Sequence, residues 1–160
     1  MRQIPANKLS KKVVSAWRIG GIISTLIIAI IMAVGVILLG IYMGSWATWI
    51  LIAVTILAVY FAVNVIIVPA VRYNRWRFDV TESEIDIYYG IIVRKRIIIP
   101  LVRVQFTDTE QGPIKKAFGL AEVTINTAGG EQTIPGLLDE DADALRDKVA
   151  RLASLAREEV

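Results

Sequence analysis

The sequence predicts an α+β membrane protein, in which a two-helix transmembrane hairpin is followed by a small β-rich domain and a C-terminal amphipathic helix. Three observations lead to this fold class. Residues 19–71 form a run of 53 residues without one Asp, Glu, Lys or Arg. After this run, apolar and polar residues alternate with the two-residue period of β-strands. After Gly136, apolar positions recur every three or four residues, as on one face of a helix.

The apolar run is long enough to cross a membrane twice. A hydrocarbon core of about 30 Å requires roughly 20 helical residues. We predict a first helix at residues 19–41 and a second at residues 46–68, joined by a turn at residues 42–45 where small residues interrupt the apolar sequence. Pro69 is expected to limit the second helix. A signal peptide, the alternative for the first helix, has a shorter apolar region of about 7 to 15 residues.

Basic residues predict the orientation of this hairpin. Five Lys or Arg and no acidic residue precede the first helix, three Arg follow the second within residues 72–77, and the turn has none. Lys and Arg near membrane spans remain cytoplasmic. We therefore expect a multi-pass protein of the cell membrane with both termini in the cytoplasm.

The basic N-terminal segment, residues 1–18, has two interpretations. Its mildly amphipathic run from residue 8 to residue 18 is compatible with an interfacial helix on anionic lipid. It is also compatible with a simple flank that sets the orientation of the first span. The second interpretation is favoured because the charge asymmetry alone accounts for the basic residues.

The composition excludes several classes of function. The chain has no Cys and no His, which removes disulfides, thiolate metal sites, a Cys nucleophile and the commonest general base. Residues 72–160 carry 13 basic and 15 acidic residues, so they lack the dense basic face of a nucleic-acid-binding domain. No cofactor, metal or nucleic-acid partner is predicted.

A single domain is expected over residues 72–160. Alternation predicts strands near residues 75–80, 85–89, 96–101, 102–107, 120–127 and 131–135. Pro100 belongs at a sheet edge or a strand break because it has no N–H donor. The final helix carries one apolar stripe: Leu138, Ala142, Leu145, Val149, Leu152 and Ala156. Acidic residues crowd its start, where N-terminal capping is a better interpretation than a divalent-metal site: Asp139, Glu140, Asp141 and Asp143.

Three further features invite a functional interpretation. Gly40 and Gly44 have the small-xxx-small spacing that permits self-association, although packing between the two helices of the hairpin is favoured. Asn64 is expected to hydrogen-bond to the partner helix or to reach the interface, and without a charged residue in the spans a transporter is disfavoured. Asp108 and Glu110 resemble a catalytic pair only in type, because no base or phosphate-binding loop accompanies them, so no enzyme is predicted.

An ordered set of short motifs also carries a resemblance to a known family. The motifs are Ile99-Pro100-Leu101-Val102-Arg103-Val104-Gln105, Gly112-Pro113, Lys116-Ala117-Phe118-Gly119-Leu120-Ala121, Thr127-Ala128-Gly129-Gly130 and Ile134-Pro135-Gly136-Leu137. With the two preceding spans, they resemble the YdbS-like bacterial membrane proteins with a pleckstrin-homology-like (PH-like) domain. The resemblance implies a partly open β-barrel capped by the C-terminal helix, and a larger membrane companion with several such domains. It implies no ligand or activity.

The candidate site for lipid headgroups or a partner is a basic hairpin beside the apolar residues 91–93. The site consists of Arg94, Lys95 and Arg96, with Lys115, Lys116 and Phe118 as a second contact. The alternative is that the first three residues solubilise a hairpin and protect an edge strand.

These observations favour a non-enzymatic adaptor or accessory subunit. The membrane hairpin anchors the chain, and the cytoplasmic PH-like domain is presented to a protein partner in a cell-envelope complex, for which strand addition at an open sheet edge is one available mode. The alternative function is an anionic-lipid-sensing membrane anchor that uses the basic hairpin.

Overall fold

The computed structural model describes residues 4–158, which divide into two compact units. One unit is Trp17–Ala70, and the other joins the residues up to Ala16 with those from Val71 onward. The helices are α1 (Lys12–Met43), α2 (Trp46–Phe61), α3 (Val68–Arg75), α4 (Pro113–Ala117) and α5 (Asp139–Glu158). The strands are β1 (Arg77–Val80), β2 (Glu84–Tyr89), β3 (Lys95–Pro100), β4 (Val104–Glu110), β5 (Leu120–Thr127) and β6 (Gly130–Leu138).

Two long apolar helices form the first unit. Among the described residues, the helical stretches Lys12–Tyr42 and Trp46–Arg75 are long and apolar enough to cross a membrane. The break between them lies inside the turn that the sequence predicts. At this end the helices pack closely, because a Cβ on Gly40 would collide with the indole ring of Trp46. This contact explains a glycine at that position.

The second apolar helix does not end at Pro69, and the expectation that it would was wrong. A π-helical turn, Ala62–Ile67, precedes the proline, and the chain stays helical through Arg75. The Val68 N–H donates to the Val63 carbonyl, one residue further back than in an α-helix. Because proline has no N–H and clashes with the carbonyl four residues earlier, this local widening lets the helix continue past it.

Asn64 lies in the same π-helical turn and bonds within its own helix. Its side-chain amide donates to the Tyr60 carbonyl at 3.1 Å, so the expected contact with the partner helix is not the bond that forms. A polar contact between the two helices comes instead from the Tyr60 hydroxyl, 3.4 Å from the hydroxyl oxygen of Ser24.

The second unit contains two antiparallel sheets of three strands, in the orders β1-β2-β3 and β4-β5-β6. Pro100 is the last residue of β3, an edge strand, as its missing donor requires. The fourth strand begins later than expected because a 3-10 turn, Leu101–Arg103, separates it from β3. The last strand continues past Pro135 and Gly136, where the pairing with β5 shifts register. A bulge there accommodates the proline, which the sequence interpretation had placed at the strand end.

The core lies between the inward faces of the two sheets and helix α5. Fully buried sheet residues include Ile85, Ile87, Leu120, Val123, Ile125 and Ile134. Helix α5 contacts β4, β5, β6 and the 3-10 turn. Its buried residues are Ala142, Val149 and Ala153, while Leu138, which the predicted stripe included, is the last residue of β6 and is exposed.

Residues 7–13, here called the N-terminal strap, also pack in this unit. Asn7 pairs with Phe78 at the free edge of β1 through two backbone hydrogen bonds of 3.1 Å. The Ser10 N–H donates to the Gly136 carbonyl of β6 at 3.0 Å. Leu9 and Val13 are buried, and the Val13 side chain occupies the space that a Cβ on Gly136 would require. The strap therefore joins one strand of each sheet.

Candidate functional site

The β2–β3 hairpin presents an apolar tip, defined as residues 91–93, followed by two basic residues. Ile92 and Val93 are 92% and 79% exposed, which is unusual for aliphatic side chains on a tight connection. Arg94 and Lys95 are also exposed. Within residues 4–158, neither cation makes a hydrogen bond or an ion pair. Both are therefore available to an anion.

Arg96, the third residue of the predicted basic triplet, is already engaged with a carboxylate. Its Nε lies 3.0 and 3.1 Å from the two carboxylate oxygens of Asp86, and its Nη2 lies 2.5 Å from Oδ2. These hydrogen bonds raise the pKa of Arg96 above its ordinary value. Asp86 is largely buried on β2, so Arg96 neutralises a carboxylate inside the sheet. This contact favours the structural interpretation for Arg96.

The second predicted group lies in the connection between β4 and β5, on the other sheet. Lys115 forms an ion pair with Glu122. Lys116 is exposed, and Phe118, which follows the end of α4, is half-buried. The first three predicted residues thus lie at or directly before the start of β3, and the other three lie between β4 and β5 of the other sheet. The exposed cations are Arg94, Lys95 and Lys116.

An arginine and aromatic cluster beside the tip was missed by sequence reasoning. Trp76 stacks on Tyr89 with ring centroids 4.6 Å apart and an interplanar angle of 19°. The Arg72 guanidinium lies 5.9 Å from the Trp76 ring, within cation–π range. Arg75, the last residue of α3, donates to the carbonyl of Ile91 in the tip. The sequence feature that could have indicated this cluster is the density of Arg and aromatic residues directly after the charge-free run.

A groove of about 800 Å³ runs along the free edge of β3. Its other walls are the start of β4, the β5–β6 turn and Arg157, whose guanidinium donates to the carbonyls of Val104 and Gln105. Arg103 and Arg157 line the groove, and none of the lining residues that the structure describes is acidic. No short motif indicates this groove, because its walls come from distant parts of the chain.

The hydrogen-bond register shows which backbone groups of β3 face this groove. The Leu101 N–H donates to the Ser83 carbonyl on the β2 side at 3.0 Å. Because bonded and non-bonded pairs alternate along antiparallel strands, Ile98 directs its N–H and C=O away from β2. Ile98 makes no other hydrogen bond within the described residues. The β3 edge is therefore open to an added strand.

The chain matches a family model and two known proteins. The model of the family described as Bacterial PH domain matches residues 14–153. The chain is 42% identical over 161 residues to UPF0699 transmembrane protein YdbS of Bacillus subtilis (strain 168), with 100% of each chain covered. It is 26% identical over 92 residues to UPF0699 transmembrane protein YdbT of the same organism, which covers 55% of this chain and 19% of that protein. No solved structure matches the chain significantly.

Proposed function

The chain belongs to the bacterial PH domain family, and from this membership we propose that it is a membrane-anchored adaptor or accessory subunit without enzymatic activity. It is a membrane protein whose β-rich unit is the PH-like domain. In the proposed role, the hairpin holds that domain at the cytoplasmic face of the cell membrane, and the domain binds a protein partner in a cell-envelope complex.

The open edge of β3 is the observation that carries this proposal. The unpaired backbone of Ile98 lies beside a groove large enough for an extended peptide, and strand addition uses main-chain hydrogen bonds of this kind for affinity. Natural sheets usually protect such an edge. Here the exposed Ile98 side chain leaves it apolar.

The organisation that we propose follows the sequence interpretation. Residues 1–18 are a basic cytoplasmic segment, residues 19–71 the transmembrane hairpin and residues 72–160 the cytoplasmic domain. We further propose that the two sheets form a partly open barrel with α5 at one end. The hydrogen bond from Lys148 of α5 to the Val80 carbonyl, at 3.2 Å, supports this because it links the helix to the sheet that it otherwise contacts least.

The partner that we propose is a membrane protein, and a larger companion with several PH-like domains is the favoured candidate. The partial match to YdbT supports this choice, because 92 aligned residues make up only 19% of that protein. The alternative partner is a second copy of the chain, bound through the end of the hairpin that carries Gly40 and Gly44.

A second candidate function is an anionic-lipid-sensing anchor. The exposed, unpaired Arg94 and Lys95 favour it, and Lys116 would add a third cation. Steep salt dependence of vesicle binding would distinguish it from a protein adaptor, since exposed charges are screened within about 8 Å at physiological salt.

Co-purification of the full-length chain from its own membranes in mild detergent tests the adaptor proposal. Ile98→Pro removes the outward N–H without removing a bond to β2, whereas Ile98→Ala keeps that N–H and is the matched control. We expect a defined membrane protein to be recovered with the parent chain and with Ile98→Ala, and about tenfold less with Ile98→Pro. Recovery of only lipid or of further copies of the chain would reject the adaptor and move the lipid-sensing function to first place.

A further inference from the structure

We propose that the apolar tip of the β2–β3 hairpin inserts into the interfacial layer of the membrane that anchors the chain, with Arg94 and Lys95 at the lipid phosphates. This inference rests on the second candidate function, the anionic-lipid-sensing anchor, and does not depend on the adaptor role. The tip would set the orientation of a domain that is already tethered, so that the domain presents a defined face to the cytoplasm.

The exposure of the tip is the first observation that supports insertion. Ile92 and Val93 place two aliphatic side chains in solvent, while Ile85, Ile87 and Ile99 of the same sheet are buried. Apolar side chains gain free energy on leaving water in proportion to the area removed. A surface that ends in two exposed aliphatic residues and then two cations matches the layering of acyl chain and phosphate in a lipid interface.

The position of the tip in the chain is the second observation. Arg75 is the last residue of the helix that continues from the second apolar segment, and it donates to the Ile91 carbonyl. The charge-free run ends only four residues before it, at Val71. Arginine and tryptophan at the end of a span mark the headgroup layer. The bond from Arg75 therefore holds the tip beside the residues that mark this layer.

The distribution of charge in the sheet is the third observation. Successive hairpins leave a sheet at opposite ends, so the β1–β2 turn, with Glu82 beside it, lies at the far end of a six-residue strand from the tip. Six residues span about 20 Å. The end that carries the tip also carries Arg75, Arg77 and Arg94, which line one small cavity together with uncharged residues in the part of the chain that the structure describes. The end of the sheet that carries the tip is thus basic and apolar.

This charge pattern selects an anionic bilayer as the occupant of the tip. A second copy of the chain would bring its own basic tip region against this one, and like charges would repel. Phospholipid phosphates instead supply the opposite charge directly beside the apolar acyl chains.

Depth measurement on the full-length chain in nanodiscs tests the proposal. The chain has no Cys, so a single introduced Cys carries the only nitroxide label. Ile92→Cys reports on the tip, and Ser83→Cys, exposed in the β1–β2 turn at the other end of the sheet, is the matched control. The lipids are phosphatidylcholine with phosphatidylglycerol. Collisions of the label with oxygen, which partitions into lipid, are compared with collisions with a water-soluble nickel chelate.

Insertion predicts that oxygen collisions dominate at Ile92→Cys and nickel collisions dominate at Ser83→Cys. Adding Arg94→Glu and Lys95→Glu to Ile92→Cys should raise the accessibility of the label to nickel at least about twofold, because the lipid phosphates repel the two introduced carboxylates and the tip is no longer held in the interface. Equal accessibility at the two positions would overturn the proposal. Low accessibility of Ile92→Cys to both reagents would also overturn it, because that result indicates burial against protein. Unchanged accessibility in the double Glu variant would overturn the role of the two cations.

Discussion

Replacing Leu9 with Ala tests whether residues before the membrane hairpin stabilise the domain after it. Leu9 is 3% exposed and lies in the N-terminal strap, between the backbone bonds to Phe78 and Gly136. The substitution removes three side-chain carbons, each contributing about 0.8 kcal/mol when buried, or roughly 2.4 kcal/mol. Incomplete collapse of the cavity raises the expected loss in free energy of unfolding to about 2.5 to 4 kcal/mol.

Hydrogen exchange of the full-length chain in nanodiscs measures this loss. Because about 1.4 kcal/mol corresponds to a factor of ten, the slowest amides of β6 should exchange roughly 50 to 900 times faster in Leu9→Ala. Lys8→Ala is the matched control, since Lys8 is adjacent and exposed, and its effect should stay within about 0.5 kcal/mol. If β6 keeps its protection in Leu9→Ala, the strap does not contribute to the stability of the domain.

Three further substitutions have defined outcomes. By hydrogen exchange, Gly136→Ala should destabilise the domain by about 2 to 4 kcal/mol and Gly119→Ala by only about 1 to 2 kcal/mol. Both glycines have φ near +60°, but only at Gly136 would a Cβ collide with the Val13 side chain of the strap. Equal losses in the two variants would contradict this packing. Asp86→Ala should lower the thermal midpoint of the domain more in the parent chain than in a chain that already carries Arg96→Ala, because the second chain has no ion pair left to lose. Equal decreases in the two chains would contradict the ion pair. Gly40→Val should lower the thermal midpoint in detergent relative to Gly35→Val, where a Cβ meets nothing within 4 Å; equal midpoints would contradict close packing at the turn.

Patterns within a short window predicted most of the elements correctly. The charge-free run predicted two apolar helices, and the two-residue alternation located all six strands to within a few residues. The errors occur where the local preference of a residue is overridden by the hydrogen bonding of its neighbours. Pro69 is a helix breaker by propensity, yet a π-helical turn next to it keeps the helix intact. Pro135 and Gly136 look like a strand end, yet pairing with β5 continues through a bulge.

The candidate site was less predictable because its environment depends on tertiary contacts. The basic triplet was visible in the sequence, but the carboxylate that engages Arg96 is ten residues away and aligns with it only in the sheet. The groove at β3 requires the β5–β6 turn and the end of α5 to come together. The sequence pattern indicates only a flank of the first span at the strap, because the burial of Leu9 and Val13 depends on strands that follow the hairpin.

The strap also has a consequence for the order in which the protein is made. Its residues leave the ribosome before the two apolar helices, but the β6 carbonyl to which the Ser10 N–H donates is synthesised only after both of them. A chain in which one of these helices failed to cross would hold the strap and the domain on opposite sides of the membrane, with the β1 edge and Gly136 left bare. The strap can therefore complete the domain only when both ends of the hairpin lie on the same side of the membrane.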